Sequence, residues 1–244
     1  MKPRDRVILA LDVDKEDEAL ALVEKVAGNV WAFKVGMQLF NSAGQDIVRR
    51  IQDLGGRVFV DLKFHDIPNT VARAVRVVTR LGCLMLDVHA SGGTDMMRAA
   101  AEAALDEAAR LGIPAPLILA VTVLTSIDQR QLEEELLIRG ESVERVAAKW
   151  ARMAQSSGIS GAVCSPREIA AVRAACGPDF VIVTPGIRPA WAANNDQKRA
   201  LTPGEAIKLG ADYVVVGRPI THAEDPACAA RMVIEEMEGT SCAQ

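Results

Sequence analysis

Eight short apolar runs, each followed by a stretch with helical spacing, constrain this chain more than any single motif does. The runs are "RVILALD" (6–12), "WAFKVG" (31–36), "RVFVDLK" (57–63), "CLMLDVHA" (83–90), "PLILAVTVLT" (116–125), "SGAVCS" (160–165), "FVIVTPG" (180–186) and "DYVVVGR" (212–218). They are nearly continuous in hydrophobicity, as parallel strands covered on both faces must be. Between them, "EDEALALVEKVAG" ends on Gly28 as a helix C-terminus would, and "GTDMMRAAAEAALDEAARLG" is expected to start at Thr94-Asp95 and stop at Gly112. "SVERVAAKWARMAQSSG" and "SPREIAAVRAACG" follow the same grammar. Eight β-then-α units in 244 residues predict a (β/α)8 TIM barrel, one domain over residues 1–244. A doubly wound open sheet is the alternative, but it needs fewer strands, and no G-x-G-x-x-G follows the first run to support its dinucleotide-binding version.

Other classes lose ground on composition. The net charge is −4, without a dense Lys/Arg tract, so nucleic acid is a poor partner. No run approaches the roughly 20 apolar residues of a membrane span, and the N-terminal apolar stretch is too short for a signal peptide, which predicts a cytoplasmic protein and no membrane partner. Cys83, Cys164, Cys176, Cys228 and Cys242 are odd in number and unclustered, unlike a disulfide framework or a zinc site.

In such a barrel the chemistry lies at the C-terminal ends of the strands. Polar residues gather there: Asp12 after the first run, Lys34 in the second, Asp61 and Lys63 with Asp66 in the third, Asp87 and His89 in the fourth, Thr125 and Ser126 after the fifth, Thr184 and Arg188 at the seventh, Gly217 and Arg218 at the eighth. Asp61 and Lys63, two apart, are expected on one strand face, within reach of Lys34. Asp66 lies just before Pro68, a favoured first residue of a helix. The group forms a candidate Lys-Asp-Lys-Asp array; the alternative is a salt-bridge network that only closes the barrel mouth. His65 reads as hydrogen-bonded scaffolding. Asp87 and His89 offer half a metal site, but two interleaved lysines oppose a divalent cation, so no metal is expected. Gly217 and Arg218 suit a phosphate, as loops after the last two strands of barrels often do. The long connection around 187–202 is a candidate lid, in which Arg188, Gln197, Lys198 and Arg199 close over an anion; a solvated surface loop is the other reading.

"DLKFHDIPNT" (61–70) resembles the signature of the orotidine 5′-monophosphate decarboxylase family. The resemblance extends over essentially the whole chain through "LALDV" (9–13), "FKVG" (33–36), "VTVLTS" (121–126), "TPGIRP" (184–189) and "VVGRPI" (215–220). The D-x-K-x-x-D core is also similar to that of sugar-phosphate decarboxylases such as the 3-keto-gulonate 6-phosphate enzymes, which use Mg²⁺ and carry an acid where this chain has Lys34.

The resemblance implies a carboxy-lyase of pyrimidine nucleotide synthesis that converts orotidine 5′-monophosphate to uridine 5′-monophosphate and CO₂, with no cofactor. It implies that Lys63 protonates C6 and that Asp61 sits against the substrate carboxylate, with Lys34 and Asp66 completing the array. Asp12 and Lys34 would contact ribose, and Thr125 the base, with Ser126 beside it. Arg188, Gln197, Gly217 and Arg218 would bind phosphate or hold the lid. Asp66, Ile67 and Thr70 would enter a partner subunit's site, making a homodimer with shared active sites. Carbanion chemistry at C6 without an electron sink calls for a fixed ammonium, which carboxylates on either side keep protonated. A sugar-phosphate decarboxylase or aldolase, and a nucleotide-binding protein without catalysis, are the competing readings.

Overall fold

The apolar runs fold as eight strands, and the strands close on themselves. The structure, a computed structural model, describes residues 2–192 and 201–239. The strands are β1 (Val7–Ala10), β2 (Ala32–Gly36), β3 (Val58–Phe64), β4 (Met85–His89), β5 (Leu117–Val121), β6 (Gly161–Val163), β7 (Val181–Thr184) and β8 (Tyr213–Val216). Each pairs in parallel with the next, and β8 returns to β1, giving a closed barrel with helices between the strands: the expected (β/α)8 architecture. Among the described residues no helix is long and apolar enough to cross a membrane.

Strand residues divide by alternation into two cores. Val7, Leu9, Phe33, Val35, Val58, Val60, Leu86 and Val88 face outward and pack under the helices. Ile8, Ala10, Ala32, Phe59, Met85, Leu119, Val183, Tyr213 and Val215 fill the barrel itself. At the N-terminal end Trp31 stacks on Tyr213, ring centroids 4.3 Å apart, with the Arg57 guanidinium 5.9 Å from the Trp31 ring centre. Gly161 allows β6 to approach β7: a Cβ there would lie 2.3 Å from the Val181 carbonyl oxygen.

Helix ends follow local chemistry. The helix Glu16–Val26 is followed by Gly28 in the left-handed conformation at φ 84°, as its position past the helix end predicts. Ser142 caps Val143–Ser156 through the Arg145 N–H, and Pro68 opens Pro68–Thr79. The expected start at Thr94-Asp95 is corrected. The helix runs Gly93–Leu111 and leaves the short turn Ala90–Gly92 directly, with no side-chain cap. Only glycine fits just before the helix, because a Cβ on Gly92 would sit 2.2 Å from Met96 Sδ. Likewise "SPREIAAVRAACG" is helical only over Ile169–Cys176; ahead of it the Ser165 N–H donates to the Glu168 carboxylate and makes a turn.

Candidate active site

The inner face of the barrel changes chemistry toward its C-terminal end. Alternation carries Ala32 on to Lys34, Phe59 on to Asp61 and Met85 on to Asp87, so an apolar layer is capped by a charged one. Above it opens a cavity of about 340 Å³, within the roughly 300–1,000 Å³ of small-molecule sites. Asp12, Lys34, Asp61, Lys63, Asp87, Thr125, Arg188, Gly217 and Arg218 all line it. The remaining wall is apolar, from Phe59, Val121, Val123, Val163, Pro185, Ile187 and Val215.

Lys34 is the hub. Its Nζ lies 3.1 Å from Asp61 Oδ2 and 3.2 Å from Asp12 Oδ1, while Lys63 Nζ pairs with the other Asp61 oxygen, Oδ1. Burial alone would lower the pKa of Lys34, but Asp61 and Asp12 overcome it and raise the value. Burial works against the charged form of Asp61 too; Lys34, a hydrogen bond from Asp87 and Lys63 outweigh it and hold the carboxyl well below its ordinary range. Asp61 is therefore a carboxylate in a nearly dry setting, gripped from both sides. Gly36 leaves room for this cluster, since a Cβ there would stand 3.1 Å from Lys34 Nζ.

β3 departs from a regular pleat where it matters. Val60 pairs with Leu86 and Phe64 with Val88, so a four-residue step on β3 faces a two-residue step on β4. Inside that bulge Lys63 has φ 51°, left-handed for a residue with a side chain. Such a conformation costs about 1–3 kcal/mol and persists only where the surroundings impose it. The expectation that Asp61 and Lys63 share a face through simple alternation is thus corrected: they meet because the bulge turns Lys63 back over Asp61.

The structure does not bring every expected residue to the cavity. Asp66, Ile67 and Thr70 are exposed and lie outside its lining; Asp66 Oδ1 accepts the Ile67 N–H at 2.6 Å. Within one chain the array is Asp12-Lys34-Asp61-Lys63, without Asp66. Ser126 lines an adjoining polar trough with Asp128, Ser142 and Arg167. Thr184 is buried outside the lining. His65 and His89 stack at 5.5 Å between centroids, and His89 Nδ1 is 3.2 Å from the Ser91 hydroxyl; burial, His65 and Lys63 depress His89. Gln197, Lys198 and Arg199, and most of the expected lid, lie outside the described residues. Its stem is tied: the Arg188 N–H donates to the Leu201 carbonyl at 3.1 Å.

Residues 5–233 match the model of the family described as "Orotidine 5'-phosphate decarboxylase / HUMPS family". The chain belongs to this family. It is 60% identical over 238 residues to a protein named orotidine 5'-phosphate decarboxylase from Syntrophomonas wolfei, covering 98% of this chain and 100% of the relative. A protein of the same name from Moorella thermoacetica is 53% identical, covering 98% of this chain and 94% of its own. The crystal structure of orotidine 5'-phosphate decarboxylase from Lactobacillus acidophilus superposes with a TM-score of 0.84 at 38% identity, over 95% of this chain and 98% of the other.

In this member of the orotidine 5'-phosphate decarboxylase / HUMPS family Asp87 also lines the cavity, two residues beyond Met85 on the inward face of β4, without, among the described residues, the cation partner that Asp12 and Asp61 have. Cys164 is part of the wall as well; burial, helped by Glu168, pushes its thiol far above the ordinary range and favours the protonated form.

Proposed function

We propose that this protein decarboxylates orotidine 5′-monophosphate to uridine 5′-monophosphate and CO₂ in pyrimidine synthesis, with Lys63 as proton donor and no cofactor. The observation that carries the reading is Asp61 held between Lys34 and Lys63 in the wall of the cavity. The names of the relatives support it. Breaking the C6–carboxylate bond leaves its electron pair on C6 as CO₂ departs. The Lys63 ammonium then gives a proton to C6, and solvent reprotonates the amine. A preorganised ammonium stabilises the developing charge without reorganising at the moment of reaction. Asp61 against the substrate carboxylate adds repulsion that eases as CO₂ leaves. Asp12 and Lys34 would hold ribose, Thr125 the base, and Gly217, Arg218 and Arg188 the phosphate, with Gln197 and the rest of 187–202 folding over it. The test is turnover of orotidine 5′-monophosphate by the native chain with EDTA present; a folded chain that binds the nucleotide and leaves it unchanged would refute catalysis.

Among the described residues Arg218 has no acidic partner, and it is exposed at the cavity rim. Charge-assisted contacts to phosphate contribute about 1.5–3 kcal/mol each. Arg218→Ala should therefore lower kcat/KM for the nucleotide by about 10²–10³-fold, remote binding energy being used at the reacting carbon. Orotidine without its phosphate should be turned over equally by both proteins. An unchanged kcat/KM for the nucleotide removes Arg218 from the site.

The active unit is proposed to be a cytoplasmic homodimer of single-barrel chains (residues 1–244) with shared sites, Asp66, Ile67 and Thr70 reaching the partner's cavity. Their exposure outside their own cavity supports this, Ile67 being 66% exposed despite its apolar side chain. Mixing Asp61→Ala with Asp66→Ala protein should then restore about a quarter of native activity, since half of random dimers are mixed and each mixed dimer holds one intact site. No recovery would place both residues in one chain's own site.

A further inference from the structure

We propose that Asp87 is a positioning residue that works as a neutral carboxylic acid, fastening the β3 bulge so that Lys63 and Asp61 are aimed into the cavity. The inference rests on the proposed decarboxylase reading for Lys63 and assigns a part to a side chain that the reaction itself does not use.

The argument begins with the ladder. Between the Val60–Leu86 and Phe64–Val88 pairs, β3 has more residues than β4 can match. The surplus amides need other acceptors, because leaving a buried N–H unpaired forfeits its hydration with nothing in return. For Lys63 the acceptor is a side chain: its N–H donates to Asp87 Oδ1 at 2.7 Å. That bond holds the residue whose φ of 51° turns its ammonium toward Asp61. Asp87 stands on β4 directly across the bulge, between Leu86 and Val88, and its exposure is 1%.

The other carboxyl oxygen fixes the protonation state. As a carboxylate, Asp87 would bury Oδ2 with no hydrogen-bond partner. Protonated, the acid has a proton to direct from Oδ2 at the neighbouring Asp61, and such a donor favours the charged form of Asp61. Two adjacent carboxyls between two lysines thus divide their labour: Asp61 stays charged because Lys34 and Lys63 grip it, and Asp87 stays neutral because nothing cationic touches its far oxygen. Burial first, then Asp61, raises the pKa of Asp87 well above the ordinary carboxyl value, against a smaller opposing effect of Lys63. Like charges sharing one site push one carboxyl to hold the proton.

An amide reproduces both functions, accepting from the Lys63 N–H and donating to Asp61. Asp87→Asn should keep kcat within threefold of native. Asp87→Ala should lose both bonds and lower kcat by about 10²-fold or more, with KM and the Kd for uridine 5′-monophosphate changed less than threefold. Circular dichroism checks that each variant is folded. A native kcat in Asp87→Ala, or a fall in Asp87→Asn beyond tenfold, overturns the proposal, the second because it would require an ionised carboxylate. Parallel losses of kcat and nucleotide binding in Asp87→Ala also overturn it, as general damage to the pocket. Should Asp87→Ala fail to fold, the tenfold limit on Asp87→Asn decides. Native turnover is the control: silence there refutes the decarboxylase reading and not the positioning one.

Discussion

Lys63→Ala should lower kcat by about 10⁴-fold while leaving uridine 5′-monophosphate bound within about tenfold of native affinity. Two effects are lost together. General acid catalysis typically contributes about 10²–10⁴-fold, and one preorganised charge at the developing anion a further 10²–10³-fold. They act as a unit, so the losses do not multiply fully. Binding of the product is held by ribose and phosphate contacts that Lys63 does not make in this reading. The variant should also remain folded, since replacing a residue held at φ 51° removes a side chain that is one-quarter exposed and leaves the Asp87 bond to the backbone N–H in place. Single-turnover decarboxylation beside equilibrium binding separates the two quantities. A kcat within tenfold of native would exclude Lys63 as proton donor, whatever its effect on binding.

Asp61→Asn is expected to be the second most damaging change, with a different signature. Asp61 bonds both ammonium groups at once, Lys34 through Oδ2 and Lys63 through Oδ1. The amide keeps the shape and removes the charge, leaving two cations that no longer share a counter-ion. A kcat lower by about 10²–10³-fold follows from the loss of an oriented Lys63. Binding should move the other way. Like charges about 4 Å apart repel by roughly 4 kcal/mol at an effective dielectric near 20, so removing the aspartate charge should tighten the ground-state complex of the carboxylate-bearing substrate. Uridine 5′-monophosphate, which has no carboxylate, should bind about as before. An unchanged kcat would refute the role, and equal shifts in the affinity of both nucleotides would show that Asp61 does not face the carboxylate.

The barrel was legible in the sequence because its strands are buried on both faces, which writes a short, largely apolar run at every one of them. The end of the barrel that holds the charges followed from the same pattern, since Lys34 and Asp61 continue the inward-facing alternation of Ala32 and Phe59. What local patterning could not show was the mismatch between β3 and β4: a bulge is a property of two strands, and neither carries it alone. Lys63 therefore reaches the site through a left-handed residue and not by period two, and although alternation places Asp87 on the inward face, its bond to a backbone amide leaves no mark in the sequence. The helix Gly93–Leu111 ends at Gly112 as expected and begins one residue before Thr94, without the side-chain cap that Thr94-Asp95 suggests. The apolar cavity wall was hidden in plain sight, its valines being indistinguishable from those of the core.

The stacked Trp31 and Tyr213, with the packed layer of Ile8, Phe59, Met85 and Leu119 above them, give the barrel a floor. A vessel sealed at the bottom has one door. Under the proposed function the nucleotide, the gas and any water that follows them pass the same rim, where Arg188 and Arg218 stand. Release is then a queue: CO₂, small and uncharged, slips past a nucleotide still anchored by its phosphate, and the site cannot reload until that anchor lets go.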